Sequence, residues 1–191
     1  MGRWDIDETR EHIRRLFGEM RRPTLYIFSG LPSSGKSTLA QELAKVTGAV
    51  YLRIDTVEQG LRDLCKFKVE GEGYRLSYRI AQDNLNLGIS VIADSCNPVE
   101  LTRREWNDVA IKSNANFINI EVVCSNTSEH QERVKNRKSN VDGLKLPTWK
   151  DIENREYRPW DTDRIRIDTS GKSTDESVKD LFAALRIGNI T

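Results

Sequence analysis

The sequence predicts an α/β domain built around a mainly parallel sheet, and three observations lead there. Five short apolar runs alternate with stretches whose apolar residues recur at helical spacing, the rhythm of strand and helix units wound on one sheet. Gly30-Leu31-Pro32-Ser33-Ser34-Gly35-Lys36-Ser37 lies between the first strand-like run and the next helical stretch, and fits the pattern G-x-x-x-x-G-K-S/T at every fixed position. The chain has 191 residues, 37% hydrophobic and 31% charged, which suits a single domain over 1–191 with a sizeable core.

The elements follow in order. Ile6, Ile13, Leu16, Phe17 and Met20 share one face of an amphipathic helix within 1–23, which Pro23 ends. Leu25 to Phe28 form the first strand, and Leu39, Ala40, Leu43 and Val46 mark the helix after the glycine loop. Ala49 to Ile54 read as the second strand, with Val57, Leu61, Leu64 and Cys65 on the face of the following helix. Beyond the charged connection Lys66 to Gly73, Tyr74, Tyr78, Ala81 and Leu85 form a helical stripe closed by Gly88. Ser90 to Ala93 are the third strand, Leu101, Trp106, Val109 and Ala110 a further helix, and Phe117 to Val123 the fourth strand. Residues 127–160 break the rhythm: a highly charged helix, a glycine- and proline-containing stretch over 139–149 and a second charged helical stretch have the composition of a lid. Arg164 to Ile167 give a fifth strand, and a Ser173/Glu176 capping box opens a last helix carrying Val178, Leu181, Phe182 and Leu185.

Composition narrows the function. Thirty basic against 29 acidic side chains leave a formal charge of +1, so no global field favours nucleic acid or an anionic membrane. No apolar run is long enough to span a bilayer and the Met-Gly-Arg-Trp start lacks a signal-peptide core, which predicts a cytoplasmic protein. Three widely spaced cysteines, Cys65, Cys96 and Cys124, fit reduced structural thiols better than a disulfide or zinc set. His12 and His130 lie in charged stretches expected to be exposed.

The glycine loop predicts binding of a nucleoside triphosphate. Gly30 and Gly35 let backbone N–H groups turn inward onto phosphate oxygens, and the following helix presents its positive end to the same anion. Lys36 is expected on the outer phosphates, Ser37 on Mg²⁺, and Thr38 in the same cradle. Asp55 leaves the second strand where a base for an incoming hydroxyl must stand, although an aspartate there could also cap the helix expected to start at Thr56. Asp94 closes the apolar run Val91-Ile-Ala and is the second candidate for the metal, the alternative being a turn residue before Asn97-Pro98. Arg133 and Arg137 are four apart on the charged helix, placed to screen a transferring phosphoryl group or to form surface ion pairs with Glu129 and Glu132.

With these residues in hand, the chain resembles the P-loop kinase superfamily, and more closely a group of small bacterial predicted kinases of AAA-family ATPase or adenylylsulfate-kinase-like type, related to the zeta toxins and chloramphenicol phosphotransferase. The resemblance is carried by the glycine loop, Arg53-Ile-Asp-Thr-Val-Glu-Gln-Gly-Leu-Arg62, Gly73-Tyr-Arg75, Val91-Ile-Ala-Asp-Ser-Cys-Asn-Pro98 and Gly143-Leu-Lys-Leu-Pro-Thr-Trp149. It implies a three-layer P-loop NTPase fold with five parallel strands in the order 2-3-1-4-5 and a helical lid. It also implies ATP and Mg²⁺ as cofactors, with Asp55 as base and Arg133 and Arg137 stacking on adenine and touching phosphate. Arg62, Tyr74 and Asn97 would face the acceptor, and Asp168-Thr169 would lie near the base of the nucleotide; Arg62 could instead pair with Glu58, and Tyr74 could be core. The elements that define adenylylsulfate, gluconate or shikimate kinases find no match here, so the fold does not carry a substrate with it. The expected activity is transfer of the γ-phosphate of ATP to a small-molecule hydroxyl, with Lys36, Asp55 and Arg137 as catalytic residues. The alternatives are a polynucleotide 5′-hydroxyl kinase, using Arg10, Arg14, Arg15, Arg21 and Arg22, and a nucleotide-dependent switch.

Overall fold

A computed structural model describes residues 22–66 and 68–187. The helix expected within 1–23, and with it Arg10, Arg14, Arg15 and Arg21, lies outside the described residues. The elements run β1 (Thr24–Ser29), α1 (Lys36–Thr47), β2 (Val50–Arg53), α2 (Ile54–Cys65), α3 (Glu72–Asn86), β3 (Val91–Asp94), α4 (Glu100–Lys112), β4 (Asn116–Val123), α5 (Thr127–Asn136), α6 (Trp149–Glu153), β5 (Ile165–Asp168) and α7 (Thr174–Ala184). The five strands form one sheet in the order β2-β3-β1-β4-β5, with every pairing parallel.

Side chains alternate across the sheet, and each face is covered. Leu25 and Ile27 of β1 and Val91 and Ala93 of β3 point to one side, where they pack with Ala81 and Leu85 of α3 and Trp106, Val109 and Ala110 of α4. Phe28 of β1 and Ile92 of β3 point to the other, against Leu39, Ala40 and Leu43 of α1 and Leu181 of α7. Burial on both faces explains why the strands read as continuous apolar runs. Register sets the functional edge: Phe28 pairs with Asp94, and Asp94 with Arg53, so β1, β3 and β2 reach their carboxyl ends at one level.

Three boundaries differ from the sequence expectation. Asp94 belongs to β3 and is buried within it, where a turn residue would be exposed. Helix α2 begins at Ile54, two residues earlier than expected, because Ile54 itself enters the core; Arg53 takes the extended N-cap position, and Asp55 falls inside the first turn, so it is not the cap. In the second charged stretch of 127–160 only Trp149–Glu153 is helical, opened by a capping box between Thr148 and Asp151. The Ser173/Glu176 capping box of α7 is present as expected.

The return of 127–160 to the core is fixed by Arg103 of α4, which is 3% exposed. Its guanidinium donates to the carbonyls of Arg158 at 2.8 Å and Pro159 at 3.1 Å and lies 4.2 Å from the centre of the Trp160 ring. Among the described residues, no helix is long and apolar enough to cross a membrane.

Trp106 is fully buried between α4 and the sheet, whereas Leu101 on the same helix is 52% exposed. Trp106→Ala should therefore lower the unfolding free energy by about 3–5 kcal/mol, and Leu101→Ala should stay within about 0.5 kcal/mol of the parent, both read from urea denaturation midpoints.

Candidate functional site

The glycine loop leaves β1 at the carboxyl edge of the sheet. Gly30 has φ +143°, and a Cβ there would sit 2.2 Å from the Val122 carbonyl oxygen, so only glycine lets the loop pass β4 this closely. Gly35, with φ +96°, is the residue before α1 and has no side chain to cap it, which leaves the first N–H groups of the helix for an anion. The loop is supported from below by Thr169, whose hydroxyl donates to the Ser34 carbonyl at 2.9 Å.

Lys36, the first residue of α1, is only 6% exposed, and its Nζ lies 3.8 Å from Asp94 Oδ1. The other oxygen of Asp94 accepts a hydrogen bond of 2.7 Å from the Tyr51 hydroxyl on β2. Burial, and then the Asp94 carboxylate, push the Tyr51 phenol up, so it stays a donor. Oδ1 of Asp94 is buried with no hydrogen-bond partner among the described residues. A buried carboxylate oxygen left open beside a lysine is suited to a cation or its water.

A cavity of about 560 Å³ opens over this group, within the size range of small-ligand sites. Ser37 and Thr38 line it from α1, Arg53 from β2, Arg133 and Arg137 from the far wall, and Thr169 from the end of β5. Arg133 is held in place by three partners: Thr169 Oγ1 at 2.7 Å, the Thr169 carbonyl at 2.8 Å and Glu129 at 2.6 Å. Arg137 does not share its helix face, because α5 ends at Asn136 and Arg137 has extended geometry. That exit turns it inward. Burial lowers the pKa of its guanidinium, while the carboxylates of Asp55 and Asp94 oppose the shift, which places Arg137 in the field of both.

Asp55 keeps its side chain 45% exposed, with Oδ2 3.6 Å from the Arg53 guanidinium. Neither Asp55 nor the other expected acceptor residues line the cavity. Arg62 pairs with Glu58 at 3.0 Å on its own helix and does not line the cavity. Tyr74 packs against the α3 and α4 face of the core, and its hydroxyl accepts from the Asn97 N–H at 3.3 Å. Asn97 is fully buried at φ +45°, and its amide donates to the Phe28 carbonyl and the Ser29 hydroxyl, so it ties the β3 exit to the end of β1. Asp168 serves the turn after β5. Burial pushes its carboxyl up, but hydrogen bonds from Ser125 and Ser170 outweigh this and hold it well below the usual carboxylate range.

Four residues escaped the sequence reading. His130, expected to be exposed, is 5% exposed; its Nε2 lies 2.8 Å from the Pro32 carbonyl and must carry the proton it donates there. Trp149 packs edge-on against its ring, with centroids 5.3 Å apart, so helices α5 and α6 are joined to the glycine loop through one imidazole. The three-residue spacing of His130 and Arg133 was the available signal, since it puts both on the inner face of α5. Arg53 carried a signal too, a lone charge inside the apolar run Val50-Tyr-Leu-Arg-Ile54. Tyr51 and Asn140 carried none, because their roles arise from partners 43 and 87 residues away.

Solved structures share this fold. The chain is similar to the APS kinase CysC of Mycobacterium tuberculosis, solved in complex with AMPPNP and APS, with a TM-score of 0.64 and 19% identity over 86% of this chain and 98% of that one. It is similar to a gluconokinase from Sinorhizobium meliloti 1021, with a TM-score of 0.61 and 17% identity over 87% and 93% of the two chains. It is also similar to Kti12 of Chaetomium thermophilum, solved in complex with ADP-AlF3, with a TM-score of 0.61 and 19% identity over 84% and 98%. At these identities the likeness is one of fold, and the fold is that of the P-loop kinases. No curated protein matches the chain in sequence. Residues 25–156 match the AAA domain family, and since they take in the sheet through β4, the glycine loop and both arginines of the cavity wall, the chain belongs to that family.

Proposed function

We propose that the protein is a kinase that moves the γ-phosphoryl group of ATP to a hydroxyl of a small molecule. The observation that carries this reading is the grouping at one sheet edge of a buried lysine, a buried carboxylate with an open oxygen, and a second, accessible carboxylate at Asp55. Nucleotide binding alone would not need the third.

In this reading the loop from Gly30 to Ser37, with Leu31, Pro32, Ser33 and Ser34, wraps the donor phosphates by backbone N–H groups, and Lys36 and Thr38 add to the cradle. Arg133, Asp168 and Thr169 border the donor's base end. Ser37 and the open oxygen of Asp94 would hold Mg²⁺ together with the phosphates; bound there, the ion supplies neutralisation of phosphate charge. Asp55 takes the proton of the acceptor hydroxyl as its oxygen bonds to the γ-phosphorus. The bond from that phosphorus to the bridging oxygen breaks, and its electron pair stays on the ADP leaving group. Lys36 and Arg137 stabilise the charge spread over the transferring group. Residues 127–160 act as the lid that keeps water from competing with the acceptor. Arg62, Tyr74 and Asn97 are given no substrate contact, since their polar groups are spent on Glu58, on one another and on the end of β1.

Asp55→Asn should lower turnover by about 10²–10⁴-fold while calorimetry still shows ATP binding; retained turnover would assign the base elsewhere, and a nucleotide switch would keep its partner binding in this variant. Chelation of Mg²⁺ should stop transfer and its re-addition restore it, followed as ADP release. His130→Ala leaves the Pro32 carbonyl unpartnered and should cost about 1–3 kcal/mol in thermal denaturation, with KM for ATP rising more than KM for the acceptor.

A further inference from the structure

Arg53 is 7% exposed, yet no hydrogen-bonded carboxylate accompanies it. Its Nη1 donates to Asn140 Oδ1 at 2.6 Å. The nearest carboxylate oxygen, Asp55 Oδ2, stands 3.6 Å from its other terminal nitrogen, beyond hydrogen-bond range. Its Nε is buried with no partner among the described residues. A guanidinium taken out of water with donors unused is costly unless something anionic completes it, and its flat fork suits the paired oxygens of a phosphate or carboxylate. The same side chain lines the cavity.

Charge accounting in the cavity separates this position from the donor site. Six cationic side chains line it and, among the described residues, no carboxylate does. Arg133 and Lys172 are already matched by Glu129 at 2.6 Å and Asp180 at 2.7 Å. The kinase reading assigns Lys36 and Arg137 to the donor phosphates, which leaves Arg53, paired only loosely with Asp55 at 3.6 Å, and the exposed Lys138 for a second negative group. Arg53 stands two residues before Asp55, so an acceptor anchored on it carries its hydroxyl beside the proposed base.

Resting on that reading of the site, we propose that Arg53 binds an anionic group, a phosphate or a carboxylate, carried by the phosphoryl acceptor, with Asn140 orienting the guanidinium. The acceptor is thus a hydroxylated anion, not a neutral sugar or alcohol.

The test uses the full chain saturated with AMPPNP and Mg²⁺, titrated by calorimetry with inorganic phosphate in one arm and acetate in the other. The parent protein should bind at least one of them beside the nucleotide, and the arm that binds identifies the group. Arg53→Met should weaken that binding roughly 30-fold or more, with AMPPNP affinity unchanged. Asn140→Ala, at an exposed position where folding is not at risk, should weaken it by a smaller factor. Anion binding that is indifferent to both variants overturns the proposal, as does an anion that displaces AMPPNP or a parent protein that binds neither anion while holding AMPPNP. Failure of the parent to bind AMPPNP at all overturns the kinase reading itself, and the anion proposal with it.

Discussion

Lys36 is a charge removed from water, and most of the site can be derived from what that removal requires. An ammonium at 6% exposure costs several kcal/mol unless a counter-charge is near. Asp94 supplies it at 3.8 Å, a distance too long for a hydrogen bond and too short to leave either group independent. The pair is therefore attracted but unsaturated. Tyr51 holds one carboxylate oxygen, which turns the other toward the lysine and leaves it open. A well-formed ion pair here would stabilise the protein and close the site. The two groups touch without saturating each other, so each keeps hydrogen-bonding capacity for a further partner.

That arrangement depends on backbone packing more than on side-chain chemistry. Asp94 faces Lys36 because β3 lies beside β1 in register, with Phe28 opposite Asp94. The loop reaches Lys36 by crossing the end of β4, where Gly30 comes too close to the Val122 carbonyl to bear a Cβ. Thr169 at the end of β5 holds the loop through Ser34 and holds Arg133 through its hydroxyl and carbonyl. Loop, sheet edge and cavity wall thus meet at one threonine, and a displacement of β5 would be felt at both the phosphates and the arginine.

The fold was legible because its signals are local. Five buried parallel strands give apolar runs, the helices give their stripes, and the loop has a fixed spacing. The strand order itself came from the resemblance, since no local pattern states which strands are neighbours. Side-chain roles were legible only where a residue acts through its own segment. Arg62 shows the other case: the resemblance points it at the acceptor, but Glu58, one helical turn earlier and the alternative partner, pairs with it. Asn97, which the resemblance points at the acceptor, is a buried tie to the end of β1, a role that depends on a residue 68 positions away. His130 failed for a similar reason. A charged helix looks solvated from its composition, and only the approach of Pro32 and Trp149 makes one of its faces interior.

The segment 127–160 is held at both ends and by different forces. At its start, the His130 bond to the Pro32 carbonyl and the Arg133 bonds to Thr169 join α5 to the phosphate loop and the β5 turn. At its end, Arg103 grips the carbonyls of Arg158 and Pro159 beneath Trp160. Between these anchors the chain touches the opposite side of the cavity through Asn140 on Arg53 and through Gly143, where a Cβ would meet Gln59 of α2 at 3.0 Å. The anchors at the two ends use the buried side chains of His130 and Arg103, which resist local opening, whereas Asn140 between them is itself exposed. The freedom of the segment is therefore concentrated between Arg137 and Thr148, over Arg53 and away from the phosphate loop. Opening there would uncover Arg53 without breaking the bonds that join α5 to the glycine loop and the β5 turn, and this follows from where the buried side chains are.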